Sequence, residues 1–225
     1  MKLANKIVCH NEYDRLKQVI VTSPTHMRIE EVINETQKYY RNSNIDIDKA
    51  LEQHCYFQKV MRDHGIEVIE IEPIQDLNEQ VFTRDIGVTI GTQVIVSQMA
   101  TDLRERETIY LKKFLTENNI VHQEIASDSI EGGDVILDEE RIWVGVSDRT
   151  TVTAIQSLQQ FLPDYQIEMI DLKNEILHLD CTFNLVGPNL ALIYREGISE
   201  ADYQKLSKHY QLIEVDSEEQ FTLGT

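Results

Sequence analysis

The feature that most constrains the fold of this chain is a pattern that recurs every 47 to 49 residues. Two short apolar runs joined by a tight turn occur three times, in DIGVTIGTQVIVSQ, GGDVILDEERIWVGVS and CTFNLVGPNLALIYRE. The turns fall at Gly91-Thr92, Asp138-Glu139-Glu140 and Gly187-Pro188-Asn189. Apolar runs separated by a few turn residues are typical of β-hairpins, so we predict one hairpin in each segment.

Each predicted hairpin is followed by a helical stretch and then by one more strand. The segment TTVTAIQSLQQFL places four apolar residues on one helical face, namely Val152, Ile155, Leu158 and Phe161. The next helix opens with Ser199 and has Asp202 three places on, which is the spacing of a capping box. The strands that follow the helices are predicted in NIVHQEI, YQIEMIDL and YQLIEV. The repeating unit is therefore hairpin, helix, strand.

The first segment of the chain diverges from this unit. It predicts a strand in LKQVIVTSP that ends at Pro24, and a second strand in IEVIEIEP that is closed by Pro73. Between them we predict two helices, near Arg28–Arg41 and over Ile47–His64, the second ended by Gly65.

Repeats of this length imply units that bury their faces against one another. No capping repeat is evident, which favours units closed into a ring, an α/β propeller of small sheets with helices outside. The three units and the first segment amount to about four blades, and a further hairpin is expected where the sequence reads DSEEQFTLGT. We therefore expect one domain over residues 1–225 that is incomplete at its C-terminal end.

Charge and cysteine usage exclude several classes of function. The 21 basic and 39 acidic residues give a net charge of −18, which argues against nucleic acid and anionic membrane surfaces as partners and is compatible with a small cationic ligand. Cys9, Cys55 and Cys181 show no CxxC spacing, so neither a metal site nor a disulfide framework is indicated. No segment has the length of a membrane span or the pattern of a signal peptide, and we expect a cytoplasmic protein.

Polar residues at the starts of the hairpins are candidates for a shared site. A carboxylate stands there in each unit: Asp85 in VFTRDIG, Glu131 in IEGGDV and Asp180 in LHLDCTF. Ring folds collect function at the axis, so three carboxylates and His178 predict one anionic central site. On a strand, His178 and Asp180 would share a face. The alternatives are that Asp85 caps a turn and that His178 is an idle strand residue.

Two arginines precede helices in successive units, Arg104 in LRERETIY and Arg149 in VGVSDRTT. A guanidinium is suited to bidentate capture of a carboxylate, which predicts a ligand that carries an acid at its other end. The alternative is a local ion pair with Glu105, Glu107 or Asp148.

The motifs FTRD, RERET, IEGGD, VGVSDRT and HLDCTF…GPNLALI, in this order, resemble those of the guanidino-group modifying enzymes, or penteins. These include arginine deiminase, dimethylarginine dimethylaminohydrolase and the amidinotransferases. The resemblance implies a five-bladed α/β propeller whose last blade is incomplete here. It also implies a small cationic guanidino substrate and neither a metal nor an organic cofactor.

The resemblance further implies the roles of six residues. The catalytic residues would be His178 as general acid and base, Glu131 that orients it, and Asp180 that grips the guanidinium. The substrate-binding residues would be Asp85 on the guanidinium and Arg104 and Arg149 on the carboxylate. The implied reaction hydrolyses arginine or an N-substituted arginine to a ureido product such as citrulline, through an amidino group linked to a cysteine.

The family's nucleophilic cysteine lies near the C-terminus, beyond the last residue of this sequence, and Cys9, Cys55 and Cys181 are not expected to replace it. The nucleophile is therefore unassigned, and whether this chain is itself an enzyme stays open. The alternatives are a non-catalytic guanidino-binding protein, an inactive remnant and an amidinotransferase. An incomplete blade would leave an unpaired strand edge that favours association into a homo-oligomer.

Overall fold

The computed structural model describes residues 7–125, 128–173 and 175–222. Its first segment forms β1 (Gln18–Thr22), α1 (Glu35–Tyr40), α2 (Ile47–Asp63) and β2 (Glu67–Ile71). The two strands pair in parallel, as a chain that crosses over through helices requires. Gly65 follows α2 with a φ of 78°, a conformation that glycine adopts without strain.

The helix predicted near Arg28–Arg41 is wrong over its first half. Asn34 caps α1, because its side chain accepts a hydrogen bond from the Gln37 amide, so the helix begins only at Glu35. Upstream, the Asn44 side chain accepts from the Ile29 amide and donates to the Ile29 carbonyl. These bonds hold the preceding backbone in a loop.

The three predicted units are confirmed in order along the chain. The first consists of β3 (Gly87–Ile90), β4 (Gln93–Val96), α3 (Asp102–Glu117) and β5 (His122–Glu124). The second consists of β6 (Val135–Asp138), β7 (Arg141–Val146), α4 (Val152–Phe161) and β8 (Gln166–Asp171). The third consists of β9 (Phe183–Gly187), β10 (Leu190–Ile193), α5 (Glu200–Leu206) and β11 (Gln211–Glu214), followed by α6 (Ser217–Phe221).

Each unit forms its own three-stranded sheet, with the second hairpin strand in the middle. The hairpin partners are antiparallel, and the strand after the helix joins in parallel. The cap predicted for the third helix is present, since the Ser199 hydroxyl accepts a hydrogen bond from the Asp202 amide. Thr151 caps α4 in the same manner.

Successive residues of the hairpin strands enter different hydrophobic cores. In β7, Ile142 and Val144 pack with the first sheet, whereas Trp143 packs with the third. In β4, Ile95 belongs to the core shared with the second sheet, whereas Val94 and Val96 lie in the core that includes β2. Because side chains alternate between the faces of a strand, the first and second sheets are apolar on both faces and each contributes to two cores.

The segment LHLDCTF is not a strand. The backbone is extended at His178 and then forms a turn of 3-10 helix over Leu179–Cys181, before β9 begins. The turn is closed by a hydrogen bond from the Cys181 amide to the His178 carbonyl. The expectation that strand alternation sets the directions of His178, Asp180 and Cys181 is therefore wrong.

Across the described residues, no helix combines the length and the apolar composition needed to traverse a lipid bilayer.

Candidate functional site

Turns that precede the three hairpins meet at one place and bring Asp85, Glu131 and His178 together. Glu131 precedes a 3-10 turn over Gly132–Asp134, and His178 stands at the equivalent point of the third unit. The Gly132 amide donates to the Asp85 carbonyl at 2.9 Å, which joins the first two turns directly. Side-chain oxygen and nitrogen atoms of the three residues lie within 4.8 Å of one another. We call these three residues the central cluster.

The His178 imidazole lies between the two carboxylates of the central cluster. Its Nε2 is 2.9 Å from Oε2 of Glu131, and its Nδ1 is 3.8 Å from Oδ1 of Asp85. The residue is only 3% exposed. A Cβ atom on Gly133 would lie 2.8 Å from Cγ of His178, so the ring packs directly on the glycine backbone. The imidazole is thus constrained at both nitrogens and on the side that packs on Gly133.

The surroundings of His178 favour its protonated form. Burial by itself lowers the pKa of the imidazole, but the hydrogen bond to Glu131 and the charges of Asp85 and Asp134 outweigh burial and raise the pKa to about 8. The same contact acts on Glu131: burial raises its pKa, but the hydrogen bond and charge of His178, the Ala100 amide and the charge of Arg104 together outweigh burial and lower the pKa below its usual value. At neutral pH the pair is therefore an imidazolium beside a carboxylate.

The stability of the protein should report this protonation. The pKa of His178 rises on folding from 6.5 to about 8, so the stabilisation is fully present below pH 6.5 and is lost as the pH rises through 8. We expect the free energy of unfolding of the wild type, minus that of His178→Gln, to fall by about 2 kcal/mol between pH 6 and pH 9. Urea titrations at several pH values measure this difference. A difference that does not change with pH would contradict the assigned protonation.

Glu131 is fully buried and is held by groups from neighbouring segments. Its Oε1 accepts a hydrogen bond from the Ala100 amide at 3.1 Å, and its own amide donates to Oγ1 of Thr150 at 3.1 Å. Nη1 of Arg149 lies 3.6 Å from the same carboxylate oxygen. Glu131 therefore bridges His178 and Arg149.

Arg104 is buried behind Asp85. Its Nη1 donates to Oδ2 of Asp85 at 2.6 Å, and its Nε and Nη2 donate to the Glu107 carboxylate. Nη2 also donates to the carbonyls of Glu79 and Phe82. The local pair with Glu107 that the sequence left as an alternative is confirmed. The role of Arg104 in binding a substrate carboxylate stays a prediction.

Arg149 is also buried but makes fewer contacts. Its Nη2 donates to the Ile33 carbonyl at 2.5 Å, in the loop before α1, and among the described residues its other side-chain partner is Glu131, at 3.6 Å. Part of its guanidinium is therefore not engaged by a hydrogen bond in the described contacts, unlike that of Arg104. Its assignment to a substrate carboxylate likewise stays a prediction.

Asp180 lies outside the central cluster. Its carboxylate is 3.7 Å from Nε of Arg84, whose other guanidinium nitrogens contact Glu12 and the Val135 carbonyl. Burial raises the pKa of Asp180, and the charges of Arg84 and His178 counteract part of that effect. In the third unit His178, and not Asp180, is therefore the residue next to Asp85 and Glu131.

Two further buried carboxylates near the cluster were missed in the sequence. Glu79 accepts a hydrogen bond from Nε2 of Gln37 at 2.8 Å, and burial raises its pKa. Asp134 is fully buried, and burial raises its pKa to about 6. Asp134 follows the two glycines of IEGGD and directly precedes an apolar strand. A charged residue at such a position could have indicated a buried carboxylate. Glu79 has no such signal.

No cysteine belongs to the central cluster within the described parts of the chain. The Cys181 thiol is 3.7 Å from Oδ1 of Asp180, and burial together with that carboxylate raises its pKa to about 12. Burial also raises the pKa of Cys9, and Cys55 is exposed on α2. The surroundings of Cys9 and Cys181 therefore do not activate these two thiols as nucleophiles.

The central cluster contains the ligand types of a metal site, but its arrangement is that of a hydrogen-bonded group. Glu131 faces Nε2 and Asp85 faces Nδ1, so the two carboxylates contact opposite nitrogens of one ring. The geometry suits proton transfer and recognition of a cation better.

Comparisons with known proteins give one consistent family. A family model described as eukaryotic N,N dimethylarginine dimethylhydrolase matches residues 23–225. The chain is 44% identical over 225 residues to the uncharacterized protein YkgA of Bacillus subtilis, covering all of this chain and 78% of that protein. It is 32% identical over 157 residues to arginine deiminase of Streptococcus equi, covering 63% of this chain and 37% of the enzyme.

Solved structures show the same fold. The N-terminal domain of ArgZ, a cyanobacterial arginine dihydrolase solved with its substrate, superposes with a TM-score of 0.83 at 23% identity, over 92% of this chain and 78% of that one. DDAH from Pseudomonas aeruginosa, solved with citrulline, superposes with a TM-score of 0.75 at 18% identity, over the same shares of the two chains. This mixed α/β fold and the family match show that the chain belongs to the N,N-dimethylarginine dimethylhydrolase family of the guanidino-group modifying (pentein) superfamily.

Proposed function

We propose that the central cluster binds the guanidinium group of arginine or of an N-substituted arginine and takes part in its hydrolysis to a ureido product such as citrulline. The observation that carries this proposal is the position of His178, which is held between Glu131 and Asp85 in a buried cluster built from three units. A protonated imidazole beside two carboxylates supplies both an acid and anionic partners for a planar cation.

The balance of charge around the cluster supports a cationic ligand. The central cluster and its buried neighbours together hold five carboxylates against two guanidinium groups and one imidazolium: Glu79, Asp85, Glu107, Glu131 and Asp134 against Arg104, Arg149 and His178. Burial raises the pKa of Glu79 and Glu107 despite the nearby Arg104, so the folded protein disfavours the charged forms of these carboxylates. A bound guanidinium would offset that effect.

The proposed reaction follows from the protonation of His178. A cysteine thiolate adds to the guanidinium carbon, and His178 gives its proton to the amine as the carbon–nitrogen bond breaks. Neutral His178 then takes one proton from water as the water oxygen adds to the amidino carbon. The hydroxyl proton of the adduct passes to solvent as the carbon–sulfur bond breaks, which releases the thiolate and the neutral ureido product. Glu131 stabilises the imidazolium in each cycle through its 2.9 Å contact. The thiolate in this scheme is unassigned.

A second candidate is binding of a guanidino compound without turnover. It is favoured by the Cys181 thiol, whose pKa of about 12 leaves it protonated at neutral pH. An amidinotransferase would use the same cluster, with an amine in place of water as the final acceptor.

Calorimetry and a product assay separate these candidates. We expect arginine to bind the folded protein and ornithine, which lacks the guanidinium, to bind more weakly. Release of citrulline from arginine would support hydrolysis, and transfer to an added amine would support the amidinotransferase. Binding without any product would support the second candidate. A folded sample that shows no heat with arginine would contradict all three.

We also propose that the sheets are blades of one α/β propeller-like ring in a single domain. Isolated bridges join successive parts of the chain, such as Gln98 with Ile130 and Leu172 with Ile198. The meeting of three hairpin starts at the central cluster supports an axis at that point.

A further inference from the structure

Asp134 lies beneath the central cluster and is fully buried. It ends the 3-10 turn that begins next to Glu131 and directly precedes β6. Its Oδ1 accepts a hydrogen bond from the Leu179 amide at 2.9 Å, and its Oδ2 accepts one from Oγ of Ser147 at 2.8 Å. The Thr150 hydroxyl is a further partner. One carboxylate thus joins the second unit's turn to two other segments.

The first of these contacts fixes the histidine. Leu179 is the residue after His178 and begins the 3-10 turn, where its amide has no partner within the turn. By accepting a hydrogen bond from that amide, Asp134 fixes the backbone next to His178 and so the position of the imidazole relative to Glu131 and Asp85. Gly133, the residue before Asp134, supports the ring face itself. The position of the imidazole therefore depends on two adjacent residues of another unit.

The second set of contacts fixes Arg149 and Glu131. The Ser147 hydroxyl, while donating to Asp134, accepts from the amides of Arg149 at 3.0 Å and Thr150 at 3.1 Å. The Thr150 hydroxyl accepts from the Glu131 amide. Both hydroxyls are thus oriented by the same carboxylate, and both hold backbone atoms of site residues.

Space around the carboxylate is filled. A Cβ atom on Gly145, in β7, would lie 2.6 Å from Oδ1 of Asp134. The carboxylate therefore packs against the Gly145 backbone. Both of its oxygens already accept hydrogen bonds from the protein. Since the residue is fully buried, its effect on a ligand must pass through its neighbours.

We propose that Asp134 is a positioning residue that sets His178, Arg149 and Glu131 relative to one another without contacting the ligand. The expected effect of Asp134 on ligand affinity rests on the proposed function. The expected effect on the pKa and position of the His178 imidazole does not. The anions that face His178 are Glu131, Asp85, Asp134 and, from its own turn, Asp180.

The test uses Asp134→Asn in the full chain, with nitrogen-15 NMR of the histidine rings without ligand. We expect the cooperative thermal transition to persist and the pKa of His178 to fall by about one unit, because one facing anion is lost and the ring is held less firmly. With arginine as the probe, calorimetry should show an affinity roughly tenfold to a hundredfold lower, an effect typical of small misplacements of positioning groups.

Asp138→Asn is the matched control. Asp138 ends the same strand and accepts hydrogen bonds from the hydroxyls of Tyr13 and Tyr210, away from the cluster. Its replacement should lower stability without moving the His178 resonances or the arginine affinity. If Asp134→Asn changes the pKa of His178 and the arginine affinity no more than Asp138→Asn does, the proposal is wrong.

Ser147→Ala is the second test variant, to be used if Asp134→Asn does not fold. It keeps the bond to Leu179 and removes the hydroxyl that holds the Arg149 amide. We expect the Arg149 side-chain resonance to move while that of His178 stays, and no movement of either would overturn the proposal. If the wild type does not bind arginine, the proposed function fails, and the resonances alone still decide whether Asp134 positions these residues.

Discussion

Replacing Arg104 with methionine is expected to lower the free energy of unfolding by about 3–5 kcal/mol, the usual effect of removing one partner from a buried ion pair. The Arg104 side chain is 4% exposed, and its removal leaves the carboxylates of Glu107 and Asp85 without their cation. The carbonyls of Glu79 and Phe82 lose a donor as well. Urea denaturation at pH 8 measures the loss.

The loss should be smaller at pH 5 than at pH 8, because carboxylates left without a cation gain protons as the pH falls. Arg62→Met is the matched control, since the pair of Arg62 with Glu70 has a similar distance of 2.9 Å but about half of each side chain is exposed. It should change stability by at most about 1 kcal/mol. Equal effects of the two variants would contradict the account of Arg104 as a buried structural cation.

Asp85→Asn is expected to weaken arginine binding by roughly 30-fold to more than a thousandfold, equivalent to about 2–5 kcal/mol for losing one partner of a buried charged contact. Asp85 presents one oxygen to Arg104 and the other to His178, so the variant keeps the shape of the side chain and removes the anion between them. In any form of the protein that turns over, activity should be abolished. Calorimetry with arginine measures the affinity, and a thermal melt of the same sample verifies folding.

Glu105→Gln is the control for this variant, because Glu105 is an exposed acid on the same helix as Arg104. It removes one negative charge from the protein and should leave the arginine affinity within about twofold, since exposed charges have small effects. An Asp85→Asn variant that binds arginine as tightly as Glu105→Gln does would remove Asp85 from the ligand site.

The repeating part of the fold was predictable because its signals are local. Turn residues such as Gly91 and Gly187 separate short apolar runs, and Ser199 marks a helix start, so hairpins and helices follow from neighbouring residues. The expectation that a hairpin begins at DSEEQFTLGT is wrong over its described residues, because Asp216 caps helix α6 there. The other two errors have non-local causes. The turn after His178 is held by Asp134, which lies 45 residues away from Leu179, and the loop before α1 is held by the Asn44 side chain.

The site was predictable in its location and less so in its detail. Reasoning from hairpin starts brought Asp85, Glu131 and His178 to one place, which the structure confirms. It also placed Asp180 with them; the structure puts Asp180 beside Arg84, where its carboxylate still interacts with the charges of His178 and Asp85, and its role on the guanidinium stays a prediction. The local acid that pairs with Arg104 could have been Glu105 or Glu107, and only packing selects Glu107. The ligand roles of these residues stay predictions.

The alternation of β7 between two cores has a consequence for how such a chain can vary. Trp143 is matched to the third sheet while its neighbours Ile142 and Val144 are matched to the first. Deleting the second unit would therefore expose the apolar surfaces of both the first and the third sheet. In the shortened chain these two surfaces would have to pack against each other, although their side chains are not complementary. The units repeat in sequence but are not interchangeable, because the side chains of the second unit pack against those of two different neighbouring sheets.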